Sequence, residues 1–263
     1  MTPIDREDRY LSYLLNAIRA SARRPPQLGT GRDVSLEAFR ELYGGDPFYS
    51  WLGLDSELLY ASHRAAAAMT SLYRKLGDGC QELWRAIIRD EFGVDDEAAR
   101  WSYAIPKESG PATVRKLDGY IDILDFPESP ALERFEEWLP AARARVGARA
   151  SLRGGVFEIR QGYKSQDAKR SGGDVDNAAR IALQGCLPVL VVFSTQLPTA
   201  IARRYASIGW LILRGDDTED VLSSTFAFSR DVMGFDLAQL LRTNAAALRA
   251  ETERSFAPIL ETQ

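Results

Sequence analysis

Apolar positions set the frame. Tyr10, Leu11, Leu14, Leu15 and Ile18 recur at helical spacing and predict an amphipathic helix within 1–24, ended by Arg23-Arg24-Pro25-Pro26. A Gly-containing loop leads to a short helix over 36–43, capped by Ser35, and Gly44-Gly45-Asp46-Pro47 reads as another loop. An alanine-rich helix is predicted over 56–76, with Gly77-Asp78-Gly79 breaking or kinking it. Leu83, Trp84, Ile87 and Ile88 then continue a helical stripe over 80–92. From there the period falls to two. Trp101–Ile105 is a predicted strand and 114–124 a second, with Leu117, Gly119, Ile121 and Ile123 on one face and Lys116, Asp118, Tyr120 and Asp122 on the other. A helix over 132–146 carries a stripe of Leu132, Phe135, Leu139 and Ala142. The strand 155–161 follows, with Phe157 and Ile159 on one face and Val156, Glu158 and Arg160 on the other.

Beyond it come a helix over 174–184 and a continuous apolar run over 188–194, the pattern of a strand buried on both faces. A helix from Pro198 with Ile201, Tyr205 and Ile208, a buried strand over 210–213, and mostly helix from Phe235 onward complete the chain. The order predicts an α/β fold, a mixed central sheet flanked by helices with an N-terminal helical region. We expect a helical arm over 1–55 and a core over 56–263 that includes the C-terminal helix.

Composition narrows the chemistry. A net charge of −4 over 263 residues supplies no global basic field, so any nucleic-acid surface must be local. Cys80 and Cys186 lie outside any CxxC context and read as buried thiols; the single histidine, His63, sits among alanines and reads as a helix residue. One histidine leaves His-based nucleophilic triads hard to build. No apolar leader and no run of 18 apolar residues stands in the sequence, so we expect a cytoplasmic protein with no membrane partner. Neither a P-loop nor a GxGxxG following a strand is found, which disfavours nucleotide-dependent enzymes.

The candidate chemistry gathers on 155–170. Glu158 and Arg160 share a strand face, and the following loop carries Lys164, Lys169 and Arg170. An acid beside a cation at the end of a sheet, followed by basic residues, suits metal-dependent phosphodiester cleavage. The plain structural alternatives are a surface strand with an ion pair and a solvated basic turn. Asp118 and Asp122 share a face of the neighbouring strand, and Glu82 stands early on the helix 80–92, where an acid is also favoured by the helix dipole.

The order helix, three strands, helix, strand, with an acid on the second strand and Glu-x-basic on the third, resembles the PD-(D/E)XK nuclease superfamily. The tract from Glu158 to Arg170 resembles that of type II restriction endonucleases. The likeness covers about residues 57–214 in element order, and at residue level only Glu82, the strand 114–123 and the tract 155–170. It implies Asp118 as the first acid and Glu158 as the second, both holding Mg²⁺, with Glu82 as a third metal ligand and Asp122 as the rival of Asp118. It also implies Arg153, Lys164, Lys169 and Arg170 on DNA and a homodimer on a twofold duplex site. The pattern departs from the family in three places. No proline precedes Asp118, forty residues separate the two acids so that the intervening helix must be an insertion, and Arg160 stands where lysine is usual. Arginine cannot shed its proton to act as a base, and Lys164 is the alternative source of an ammonium. The implied activity is Mg²⁺-dependent cleavage of defined double-stranded DNA. The competing readings are a repair or structure-specific nuclease, a non-cleaving DNA-binding protein of the same fold, and a plain scaffold.

Overall fold

The computed structural model describes residues 3–21, 34–105, 110–163 and 171–260. It is a mixed α/β structure with a helical N-terminal region, and its backbone divides into two compact units, Met1–Gly79 with Thr243–Gln263 and Cys80–Arg242. The expected boundary at 55/56 falls inside the first unit. Among the described residues, no helix is long and apolar enough to cross a membrane.

In the first unit, α1 (Pro3–Ser21) packs along α10 (Ala245–Leu260), and Arg19 pairs with the buried Glu251 at 3.0 Å. Between them in sequence lie α2 (Leu36–Gly44), capped by Ser35 as expected, and α3 (Pro47–Trp51). The stretch expected as a loop at Asp46-Pro47 starts this helix instead: Asp46 accepts from the Phe48 and Tyr49 amides, and Pro47 takes the first helical position. His63 packs with Phe39 and Tyr43, ring centroids 5.8 Å away in each case.

One long helix, α4 (Glu57–Phe92), replaces the two predicted around Gly77-Asp78-Gly79. The glycines do not break it, and Gly79 has a packing reason to be there. A Cβ at that position would lie 2.9 Å from the Tyr13 carbonyl oxygen and 3.1 Å from the Ala17 Cβ, so the residue lets α1 approach closely.

The second unit holds two sheets. β1 (Trp101–Ile105) and β2 (Thr113–Leu117) form an antiparallel hairpin. β3 (Gly119–Asp122), β4 (Gly154–Arg160), β5 (Cys186–Val192) and β6 (Leu211–Arg214) form a mixed sheet in that order: β3 runs antiparallel to β4, and β5 and β6 continue parallel. The single strand predicted over 114–124 is thus two strands in two sheets, broken at Asp118. The break shifts the alternation by one. Leu117 and Tyr120, three residues apart, both pack on the cluster of Val156, Leu190, Tyr205 and Trp210, whereas a Cβ on Gly119 would meet Ile88 and Trp84 of α4. An unbroken strand would have put Leu117 and Gly119 on one face.

Helices α6 (Ser171–Leu183) and α7 (Thr199–Ser207) supply Ala178, Ile181 and Tyr205 to the first of these clusters. On the other face Phe157 lies among Trp84, Phe135 and Phe228, with ring centroids 6.0–6.5 Å apart. Phe135 belongs to α5 (Pro130–Val146), which Ser129 caps at one end and a left-handed Gly147 at the other. This helix, required by the family likeness to be an insertion, is part of the core: Leu132, Phe135, Trp138 and Leu139 are all buried. Phe228 opens the π-helical turn Phe228–Met233, which follows α8 (Thr225–Ala227) in a region with no predicted element and precedes α9 (Leu237–Thr243). Cys80 and Cys186 are buried free thiols, and burial pushes them up to about 12 and about 11.

The two α4 glycines should respond oppositely to alanine. Nothing lies within 4 Å of a Cβ on Gly77, so Gly77→Ala should stabilise by about 0.5–1 kcal/mol through helix propensity. Gly79→Ala should destabilise by about 1–3 kcal/mol through overpacking against α1. Urea denaturation midpoints of the two variants check this.

Candidate active site

β4 is an interior strand, so its charged residues are forced into the protein. Glu158 is buried, and it pairs through Oε1 with the Arg160 guanidinium two residues on, on the same strand face. Across the β3–β4 pair stands Asp118. The Asp118 amide donates to the Phe157 carbonyl at 3.1 Å, and its Oδ2 accepts from the Ile159 amide at 2.9 Å. The same Oδ2 is 3.8 Å from Arg160 Nη1, and that nitrogen also donates to the Ile159 carbonyl at 3.2 Å. The structure therefore brings together Asp118, Glu158 and Arg160, three of the residues expected at the site, although the acids are forty positions apart in sequence.

The local electrostatics follow from burial. It raises the Asp118 carboxyl above its ordinary value, against the Ile159 amide, Arg160 and Arg85, which pull it down. Burial also pushes Glu158 up to about 7; Arg160 opposes the shift, while the like charges of Asp118 and Asp174 add to it. For Arg160 burial works against the charge, but Glu158, Tyr163, Asp118 and Asp174 outweigh it and hold the guanidinium firmly protonated.

Glu82 is placed differently from the expectation. Its carboxylate is tied to Arg85 one turn along α4, and Arg85, itself buried, donates from Nη1 to the Asp118 carbonyl at 3.3 Å. Glu82 thus touches the site through an arginine, not as a third oxygen beside Asp118 and Glu158. Among the described residues, no group of three or more His, Cys, Asp or Glu side chains is arranged to hold a metal ion.

The rival acid, Asp122, is enclosed. Its carboxylate takes Arg153, the Tyr120 hydroxyl and, at 2.9 Å, the Leu124 amide. Burial alone would raise it, but these hydrogen bonds leave its pKa below the usual carboxylate value. Arg153, expected on DNA, is held by Asp122 and, at 2.8 Å, by Asp125. These residues fasten the end of β3 to the segment leading into β4. Lys164, Lys169 and Arg170 lie outside the described residues.

Four neighbours went unread in the sequence. Asp174, at the start of α6, is buried and accepts from the Tyr205 hydroxyl, which in turn accepts from Tyr163 at 3.0 Å. Trp210 Nε1 donates to the Asp174 carbonyl at 3.2 Å. Burial, then Tyr163 and Asp174, push the Tyr205 phenol far above its ordinary value, so it stays a donor. Tyr205 was legible only as part of an apolar stripe, and no local pattern marks it as the partner of an acid 31 residues earlier.

The donor chemistry fits a hard divalent cation. The two carboxylates and the Ile159 carbonyl are oxygens that converge on one positive group, the guanidinium of Arg160. Mg²⁺ takes one or two protein carboxylates and completes its shell with water and substrate phosphate.

Comparison with protein-family models, with curated proteins and with solved structures finds no match.

Two outcomes separate the acids. Asp122→Ala removes the buried acceptor of the Tyr120 hydroxyl and the Leu124 amide, while Arg153 keeps Asp125, and should cost about 1–3 kcal/mol, read by thermal or urea unfolding. Glu158 titrates near 7 in the folded chain against 4.5 ordinarily, so between these values the folded protein keeps a proton that the unfolded chain has lost. Its contribution to stability therefore declines as pH rises from about 4.5 through about 7 and is level above. Glu158→Gln should remove ~2–3 kcal/mol of the wild-type loss between pH 5 and pH 8. Equal losses in variant and wild type, by urea denaturation, would contradict the assignment.

Proposed function

We propose that the chain is a Mg²⁺-dependent endonuclease of the PD-(D/E)XK type that cuts a defined double-stranded DNA sequence as a homodimer, in the manner of a type II restriction enzyme. The observation that carries this reading is the convergence of Asp118 with Glu158 and Arg160 across the β3–β4 pair, at the point where the strand 113–122 breaks. A buried and a half-buried carboxylate beside a guanidinium match the chemistry that the sequence resemblance implies.

In this reading Asp118 and Glu158 hold the metal. The ion supplies Lewis-acid polarisation of a phosphoryl oxygen and a bound water of lowered pKa. The Ile159 amide fixes the Asp118 carboxylate, and Arg85 fixes the backbone behind it, so the pair needs little reorganisation. Arg160 holds a phosphate oxygen or the attacking water by hydrogen bonds and takes no proton. The basic tract Lys164, Lys169 and Arg170 contacts the DNA backbone or base edges. A dimer places two such sites on the two strands of a symmetric sequence.

One observation favours a second reading, a DNA-binding protein of this fold that does not cleave. The Arg160 guanidinium already pairs with both acids.

The deciding experiment incubates the purified full chain with a long defined duplex, with Mg²⁺ and with EDTA. Discrete fragments that require Mg²⁺ are expected. Asp118→Ala and Glu158→Ala should each slow cleavage by roughly a thousandfold or more while keeping salt-dependent DNA binding, since losing the metal forfeits several kcal/mol in the transition state. Intact DNA with binding retained would assign the non-cleaving role. Full activity in both variants would remove the proposed site.

A further inference from the structure

The position of the Arg160 guanidinium bears on how such a site is loaded. It touches Glu158 Oε1, lies 3.8 Å from Asp118 Oδ2 and donates to the Ile159 carbonyl at 3.2 Å. These are the oxygens a divalent ion would use. The Arg160 side chain keeps 21% of its exposure while those of Asp118 and Glu158 keep 15% and 9%, so the guanidinium is the most exposed of the three. We infer that Arg160 is a resident cation, occupying the metal position in the free protein and leaving the carboxylates only when a divalent ion and a phosphodiester arrive together. The inference rests on the nuclease reading of this site and concerns its regulation.

Geometry supports it. An ion taken by these oxygens would compete for them with the guanidinium, which would then give them up. A phosphate offers the released fork two oxygens in place of the ones it gives up. Lysine would serve less well as a resident, because one compact ammonium does not span three oxygens on β4 and at the break before β3. The consequence is that the free protein does not load metal readily, and metal and DNA bind with positive cooperativity.

The test titrates Mn²⁺ alone into the full-length protein by calorimetry at pH 8, in wild type, Arg160→Gln and Arg160→Lys, with circular dichroism confirming the fold. Arg160→Gln should bind one ion at least about tenfold more tightly than wild type, because the competing charge is gone. Adding Asp118→Ala should abolish the gain. Arg160→Lys should fall between the two, and it decides alone if the glutamine variant does not fold. Equal or weaker binding in the folded variants overturns the inference. The same wild-type protein is incubated with duplex DNA and Mg²⁺. Cleavage with no gain in the variants leaves the nuclease reading and removes the resident cation; a gain with no cleavage does the reverse.

Discussion

The site depends on a single backbone amide. β4 is hydrogen-bonded on both sides, but β3 pairs with it only as far as Gly119 opposite Phe157, because the preceding strand turns away to pair with β1. The amide of Ile159, a fully buried residue, is left at the end of that ladder. A buried amide without an acceptor costs about 1–3 kcal/mol. The Asp118 carboxylate fills the vacancy at 2.9 Å, and in doing so it is pinned facing Glu158 and Arg160. Ending the strand pair and aiming the acid are one event. The extra residue that breaks the alternation also carries the carboxylate, as in a β-bulge that redirects a side chain.

Two acids four positions apart, Asp118 and Asp122, show how context divides the same chemistry. Asp122 is saturated by a guanidinium, a phenol and an amide, which hold its pKa low. Asp118 takes the Ile159 amide, the Gln81 side chain and a more distant guanidinium, and burial still leaves it raised. A carboxylate whose charge is already well held gains little from a ligand; one left raised beside a second acid gains more. Arg153 and Arg160 divide in parallel, the first closing a structural pair and the second bridging the acid pair.

Much of the fold was legible because local pattern and burial agree. The stripe of Leu132, Phe135 and Leu139 and the apolar run over 188–194 became the buried face of α5 and the interior strand β5. The failures have identifiable causes. Gly77-Asp78-Gly79 reads as a helix break by propensity, but close packing of α1 on Gly79 overrides propensity. The single strand expected over 114–124 was drawn from an alternation that is real on each side of Asp118 and out of phase across it. Periodicity is a property of uninterrupted strands and does not reveal a one-residue shift.

The sequence by itself determined that the chain is α/β with a mixed sheet, that Glu158 and Arg160 share a strand face, and that an acid-bearing strand precedes them. Each follows from spacing along the chain, which local geometry converts directly into a face. Only the tertiary structure decided that Asp118 and not Asp122 meets Glu158, that Glu82 is diverted to Arg85, and that Asp174 and Tyr205 close around the same face. These depend on which strand edge is left unpaired and which charges are buried together. Both are set by contacts between residues tens of positions apart, and no local pattern encodes them.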